Sequence, residues 1–467
     1  MYIQQLYTGC LSEAAYYIED KGEAAIIDPL RDIEEYLVLA KERGASIKYI
    51  FETHFHADFV SGHLDLAQAS GAPIVYGPET ETAFPIYKAK DGEVFKLGDL
   101  SVEVLHTPGH TVESSCYLLR DANGRPHALF TGDTLFVGDV GRPDLSSGNL
   151  DSESLAGMLY DSLQQKIIPL PDDVIVYPAH GQGSSCGKNL GPDTFSTLGD
   201  EKQSNYALKA ASKPEFIKAV TEGLQAAPQY FSVNARINKE GYESLDEVMN
   251  NALRPLSVAS FKEQIKDDKT IILDTRESNV FTEGFVPGSI CIGLDGRFAE
   301  WAGSLLPFDQ ELLLVTEPGK EKESAVRLAR VGFDKMKGFL DGGFEAWKKA
   351  GEPVDMIVNV EADELAMDLR FDEKLTVVDV RRETEFGDGH LADARNIPLE
   401  TLTDPASMAA FDDNENIYVH CAGGYRSVIA CSLLKRQGIH NIHNVLGGFG
   451  AIKETGVEIV KENSILN

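Results

Sequence analysis

Basic residues are in short supply: 43 Lys and Arg stand against 74 Asp and Glu in 467 residues, a formal net charge of −31. A phosphate-binding face needs clustered Lys and Arg to displace counterions, so the deficit argues against nucleic acid as a partner. Cysteine is scarce too. Cys10, Cys116, Cys186, Cys291, Cys421 and Cys431 form no C-x-x-C pair, which argues against a disulfide framework or a thiolate zinc site and predicts reduced thiols. No apolar run reaches the roughly 18 residues that span a bilayer, and the opening Met1-Tyr2-Ile3-Gln4-Gln5-Leu6 lacks the basic and apolar regions of a signal peptide. The expectation is a soluble cytoplasmic protein with no membrane partner. What the chain does have is 43% hydrophobic residues, enough for ordinary cores despite the charge. At roughly 150 residues per domain its length predicts two to four domains.

The second half is a tandem duplication. Ile271-Ile272-Leu273-Asp274-Thr275-Arg276 matches Thr376-Val377-Val378-Asp379-Val380-Arg381, Leu312 to Val315 matches Ile417 to His420, and Gly342-Gly343-Phe344 matches Gly447-Gly448-Phe449, each 105 residues apart. Strands alternating with helix-length segments predict an α/β unit with a parallel sheet covered on both faces. Two copies are too few for a solenoid. The domains expected are 1–254, 255–355 and 356–467.

The first segment reads differently. Short strands (Ala25 to Ile27, Tyr49 to Phe51, Ile74 to Tyr76, Val102 to Leu105, Ala128 to Phe130, Val174 to Tyr177) carry polar residues at or beyond their C-terminal ends. In order these are Thr53-His54-Phe55-His56-Ala57-Asp58, Thr107-Pro108-Gly109-His110, Thr131-Gly132-Asp133 and Pro178-Ala179-His180-Gly181. Helical patterns follow over Glu201 to Ala210 and Lys213 to Ala226.

A lone His is usually packed or on the surface, but imidazole and carboxylate groups delivered by four strand ends suit a divalent first-row metal. Rigid strands fix the donors while the loops leave room for substrate. On Fe(II), His54, His110 and Asp133 make a 2-His-1-carboxylate set with positions open for dioxygen and a substrate sulfur. On Zn(II), His54, His56 and His110 make a hydrolytic set with Asp133 or water as fourth ligand. Spacing alone permits both.

The order of these residues resembles the metallo-β-lactamase superfamily, whose H-x-H-x-D-H motif is followed by a later His, a bridging Asp and a final His. The resemblance implies an αββα sandwich, followed here by two rhodanese-like parallel-sheet α/β domains. His54, His56, Asp58, His110, Asp133 and His180 occupy the motif positions, but Phe59 stands where the last His of H-x-H-x-D-H belongs. A phenyl ring offers no lone pair, so the two-metal clamp of a dinuclear hydrolase is expected to be absent and one metal to remain. The run Thr53 to His63, followed by Gly138-Asp139-Val140-Gly141-Arg142-Pro143-Asp144, resembles persulfide dioxygenases fused to rhodanese domains. That likeness implies one Fe(II) per chain on His54, His110 and Asp133. His56, Asp58 and His180 would then orient those ligands or bond bound water. It also implies oxidation of a low-molecular-weight thiol persulfide by O2 to sulfite and thiol.

The last segment carries other chemistry. His420-Cys421-Ala422-Gly423-Gly424-Tyr425-Arg426-Ser427 follows a buried-type strand and precedes the helical run Val428 to Arg436. Small residues let the loop curl so that backbone N–H groups converge on the sulfur, and the helix N-terminus adds positive potential; both are expected to lower the thiol pKa. This C-x-x-x-x-R loop resembles the active loop of rhodaneses. The likeness implies that Cys421 accepts and donates a sulfane sulfur, that Arg426 helps hold an anionic substrate, with Gly423, Gly424 and Tyr425 at the binding site, and that sulfite and thiosulfate are partners. In the middle copy Thr316 aligns with Cys421 and the loop Glu317 to Glu323 is acidic, which predicts a copy unable to form a persulfide.

Arg142 is a candidate clamp for a substrate carboxylate or phosphate, with a structural ion pair as the alternative. Cys186, six residues beyond His180, is a candidate sulfur relay or pocket residue, with simple packing as the alternative. The family likeness implies a homo-oligomer, dimer or tetramer. Two rival functions are a zinc-dependent glyoxalase II-like thioester hydrolase fused to a sulfurtransferase and a non-catalytic sulfur carrier presenting Cys421.

Overall fold

Strands that are apolar at successive positions must be covered on both faces, and the N-terminal part does this with two stacked sheets. The computed structural model describes residues 1–145, 150–188, 190–224, 226–412 and 414–461. The first sheet runs in chain order: β1 (Tyr2–Thr8), β2 (Glu13–Asp20), β3 (Glu23–Ile27), β4 (Ser46–Phe51), β5 (Ile74–Tyr76) and β6 (Tyr87–Lys88). Its first three strands are antiparallel and the rest join in parallel. The second sheet holds β7 (Val94–Leu97), β8 (Leu100–His106), β9 (Ser115–Arg120), β10 (Pro126–Gly132), β11 (Ile175–Pro178) and β12 (Ser196–Thr197), antiparallel except where β10 meets β11.

Successive strand side chains point to opposite faces. Ala14, Tyr16 and Ile18 of β2 therefore meet Tyr117, Leu119 and Phe130 between the sheets. Their neighbours Ala15 and Tyr17 turn outward against the helices Glu34–Arg43 and His63–Ser70. Cys116, Leu118 and Leu129 do the same on the other side, against the helices Ser152–Ser162 and Lys213–Thr221. The result is an αββα sandwich of the metallo-β-lactamase type. The helical pattern over Glu201 to Ala210 is cut short, its helix being Leu198–Ser204. Asn205 leaves it because its side-chain amide donates to the carbonyl of Asp139 at 3.0 Å and to Glu201 at 2.9 Å.

This compact unit comprises Met1–Glu247 and, from later in the chain, Leu328–Asp334. Paired charges hold the later segment. Arg31 is completely buried and donates to the carbonyls of Ala329 and Glu243, each at 2.9 Å, and to Asp334 Oδ2 at 2.8 Å. Arg330 grips Asp32 through two bonds of 2.7 Å, and its carbonyl accepts the Val60 N–H at 2.7 Å.

The second compact unit holds Val248–Arg327 and the chain from Lys335 onward, with two five-stranded parallel sheets of the rhodanese-like kind. One is β13 (Pro255–Leu256), β14 (Thr270–Asp274), β15 (Ile290–Cys291), β16 (Glu311–Val315) and β17 (Met336–Leu340), ordered β13-β17-β16-β14-β15. The other holds β18 (Val358–Val360), β19 (Leu375–Asp379), β21 (Arg395–Asn396), β22 (Asn416–His420) and β23 (Ile442–Val445), ordered β18-β23-β22-β19-β21, while β20 (His390–Leu391) and β24 (Ile459–Val460) form a separate antiparallel pair. The duplication extends to side chains. Arg276 bonds Asp274 and the Gly284 carbonyl and lies over the Phe344 ring; Arg381 bonds Asp379 and the Gly389 carbonyl and lies over Phe449. No helix among the described residues is long and apolar enough to cross a membrane.

Candidate functional site

Four strand ends of the sandwich converge. β4 leads into His54, His56 and Asp58, β8 into His110, β10 into Asp133 and β11 into His180, and all six are buried. His54 Nε2 lies 3.8 Å and His110 Nε2 3.4 Å from Asp133 Oδ2. One ligand atom from each of these three residues falls within 4.8 Å of the others. Each imidazole is turned by its other nitrogen. His110 Nδ1 donates to the Arg142 carbonyl at 2.8 Å, and His54 Nδ1 meets Thr53 Oγ at 2.9 Å, whose hydroxyl donates to Asp28 Oδ2 at 2.8 Å. Both Nε2 lone pairs are thus left for a metal. Asp133 Oδ2 is buried with no hydrogen-bond partner, a cost that a cation would relieve. The three residues fit one divalent ion.

The neighbours set the charge of this site. His180 donates through Nδ1 to Asp133 Oδ1 and through Nε2 to Asp58 Oδ2, each at 2.7 Å, so neither nitrogen has a lone pair to spare. Burial opposes its charge, but Asp133 and Asp58 hold its pKa well above the usual histidine range. Asp133, despite its burial, is held well below the carboxylate range by His180, His54 and His110. Burial and the nearby His56 push His54 down, towards the neutral form that a ligand needs. His56 turns away from this trio. Its Nε2 lies 3.1 Å from Asp28 and 3.6 Å from Glu52, and its ring stacks on Phe59 at 4.3 Å.

Phe59 packs on His56, and next to it in the chain Asp58 joins a second grouping: Asp58, His180 and Cys186 also bring ligand atoms within 4.8 Å of one another. Burial first, then Asp58 and Asp133, raise the Cys186 thiol well above its ordinary pKa, which keeps it protonated. Arg142 is spent locally. Its guanidinium makes two 2.7 Å bonds to Asp144, and its backbone joins the site, the carbonyl to His110 and the N–H to the Cys186 carbonyl at 2.9 Å.

Several supporting residues carry no sequence motif. Asn238, completely buried in the helix Tyr230–Glu240, donates to the carbonyls of His56 and Phe59 at 2.8 Å and accepts the Ser61 N–H at 2.9 Å. It clamps both ends of the ligand loop from some 180 residues away. Asp28 accepts the Thr53 N–H at 2.7 Å as well as its hydroxyl. It sits in the left-handed region at φ 50°, where Asp is one of the few tolerated residues. Its position one residue past the strand Ala25 to Ile27 was the available signal.

In the last repeat β22 delivers Cys421, which is 2% exposed, into the loop before the helix Tyr425–Arg436. The Gly424 N–H donates to its Sγ at 3.1 Å. Gly424 has φ 110°, the conformation that bends the loop and that a Cβ would oppose. Arg426 is paired with Glu385 by two bonds of 2.6 and 2.7 Å, so an anion there has to compete with a carboxylate. Gly423, Gly424 and Tyr425 line a cavity beside this loop. Thr316 in the middle repeat is buried and offers a hydroxyl where Cys421 offers sulfur.

Residues 8–180 match the family model of the metallo-beta-lactamase superfamily, and 257–350 and 361–455 each match that of the rhodanese-like domain. A probable hydroxyacylglutathione hydrolase of Schizosaccharomyces pombe is 36% identical over 189 residues, 39% of this chain and 69% of that protein. A hydroxyacylglutathione hydrolase of Francisella tularensis subsp. novicida is 31% identical over 258 residues, 50% of this chain and 93% of that protein. Among solved structures, a metallo-beta-lactamase from Staphylococcus aureus subsp. aureus COL superposes with a TM-score of 0.65 at 32% identity, covering 73% of this chain and 98% of that one.

Proposed function

The chain belongs to the metallo-beta-lactamase superfamily and carries two rhodanese-like domains, and from that premise we propose that it is a persulfide dioxygenase coupled to a sulfurtransferase. The observation that carries the reading is the donor set His54, His110 and Asp133 beside a stacked Phe59, with His180 tied through both nitrogens to carboxylates. Ferrous iron held by that trio would supply the redox chemistry that adds the two atoms of dioxygen to a sulfane sulfur. Overall, R–S–SH, O2 and water give R–SH and sulfurous acid, the third oxygen coming from water. His180 fixes Asp133, and the Thr53–Asp28 pair fixes His54, so that the donors need no rearrangement.

Cys421 serves the second reaction. Its thiolate takes the sulfane sulfur of thiosulfate and releases sulfite, or its persulfide passes sulfur to sulfite in reverse. The product of one centre is a reactant of the other, and tethering raises its local concentration.

A second reading has its own support. The relatives named hydroxyacylglutathione hydrolase favour a zinc-dependent thioester hydrolase. Protein purified without added metal decides between them. Iron with O2 uptake on glutathione or coenzyme A persulfide supports the dioxygenase; zinc with thioester cleavage replaces it; no metal at all leaves a sulfur carrier.

A further inference from the structure

A strand at the end of a sheet leaves one row of N–H and C=O groups without ladder partners. β15 ends the sheet of the middle repeat, and its open side is met by the helix Tyr425–Arg436 of the last repeat, the helix on which the Cys421 loop closes. Three side chains of that helix bond the backbone between Gly288 and Gly293. The Tyr425 hydroxyl donates to the Gly293 carbonyl at 2.8 Å, the Cys291 N–H donates to Ser432 Oγ at 3.0 Å, and Arg436 donates to the Gly288 carbonyl at 2.9 Å. Tyr425, Ser432 and Arg436 are seven and then four residues apart, which puts them on one face of the helix. Lys435 adds an ion pair to Asp355 at 2.9 Å.

Of these contacts Tyr425 lies nearest the sulfur in the chain. It follows Gly424, whose N–H donates to Cys421 Sγ at 3.1 Å, so holding the Tyr425 ring holds the direction of that N–H. The ring is seated on the middle repeat by shape as well as by its hydroxyl. A Cβ added at Gly296 would lie 2.3 to 2.7 Å from three of its atoms, so glycine there leaves the space that the ring occupies. The counterpart of Tyr425 in the middle repeat, Lys320, turns instead to Glu323 of its own copy at 2.7 Å. An N–H at a helix N-terminus favours negative charge on sulfur only while it points at the sulfur. The docking of this helix therefore bears on the chemistry of Cys421.

We propose that the middle repeat, which has Thr316 where Cys421 stands, is a clamp on the active loop of its neighbour, and that Tyr425 is the positioning residue that passes the hold from Gly293 and Gly296 to the Gly424 N–H and so to Cys421. The inference rests on the reading of Cys421 as a sulfur carrier. The clamp adds no group to the reaction. It keeps the Gly424 N–H on the sulfur before a substrate arrives, so that this donor needs no rearrangement as the thiolate forms. That duty requires an open sheet edge and a glycine at 296, and no sulfur chemistry in the repeat that performs it.

The test uses the full chain with thiosulfate as donor and cyanide as acceptor, and follows kcat/KM for thiosulfate against pH, whose acid limb reports ionisation in the free enzyme. Gly296→Ala, made in the repeat that lacks the cysteine, is expected to lower kcat/KM about tenfold at neutral pH, as a small misplacement at a reacting centre does. It should also move the acid limb up by about half a pH unit, the effect of weakening one N–H bond to a charged sulfur. In a Tyr425→Ala background there is no ring to displace, so adding Gly296→Ala should change kcat/KM by less than about twofold. Tyr425→Phe keeps the ring and removes only the hydroxyl; about a threefold loss is expected, and this variant decides the matter where Gly296→Ala does not fold. Rates within twofold of wild type for both variants, or a lower rate with the acid limb unmoved, overturn the clamp while Cys421 chemistry stands. So does a Gly296→Ala loss that persists in full without the ring. A wild type that transfers no sulfur overturns the reading of Cys421 as a carrier, and this inference with it.

Discussion

Phe59 lies face to face with His56, ring centroids 4.3 Å apart and planes 30° from parallel. The contact holds His56 towards Asp28 and Glu52 and puts carbon where a second ion would need nitrogen. Phe59→His restores a donor beside Asp58. Its metal content should rise above one ion per chain, and its persulfide-dependent O2 uptake should fall at least tenfold, read by elemental analysis and an oxygen electrode. A variant that still binds one iron and keeps its rate would show that Phe59 does not govern ion number.

The two centres should separate by mutation. His110→Ala removes a donor whose Nδ1 is fixed by the Arg142 carbonyl. It should abolish O2 uptake while sulfur transfer from thiosulfate continues. Cys421→Ser should do the reverse. Loss of both activities from either folded variant would contradict independent centres.

Asp334→Ala should destabilise the sandwich. It removes the carboxylate opposite the completely buried Arg31, and breaking a buried pair costs about 3 kcal/mol or more. The midpoint of urea unfolding should shift accordingly. Asp28, three residues before Arg31, orients Thr53 and so His54, and metal retention in dialysis should fall as well.

Acid should weaken the fold through His63. Burial, with a smaller push from His56, lowers its pKa to about 3, and its ring is enclosed by Phe84, Tyr76 and Tyr242. The folded protein keeps it neutral, whereas the unfolded chain takes up a proton below about pH 6.5. Its contribution is therefore complete above that pH and is lost as pH falls from there towards 3, at about 1.4 kcal/mol per pH unit for one proton. His63→Gln should flatten the stability profile between pH 6.5 and 4.5 by that slope. An unchanged slope would remove His63 as the cause.

What could be read from residue order was whatever repeats locally or sits at a strand end. The 105-residue offset reappears in β14 and β19, which begin at Thr270 and Leu375, and even in the Arg276 and Arg381 bonding patterns. The convergence of His54, His110 and Asp133 was legible because three strands of one sandwich end on the same edge. Asn238, Arg31 and the approach of Cys186 to Asp58 were not. Each depends on a contact across more than a hundred residues, and a buried amide or guanidinium has no periodicity to betray it. Helix ends were misplaced for a related reason: Asn205 is drawn out of its helix by the distant Asp139 carbonyl.

The stretch Leu328–Asp334 belongs by sequence to the middle repeat and by packing to the sandwich. The visible seam near residue 254 is therefore a poor place to cut. An excised N-terminal fragment would enclose a cation stripped of its counter-charge, and Val60 would lose the carbonyl that receives its amide. Recombining this sandwich with other partners, in the laboratory or over evolutionary time, requires carrying seven borrowed residues along.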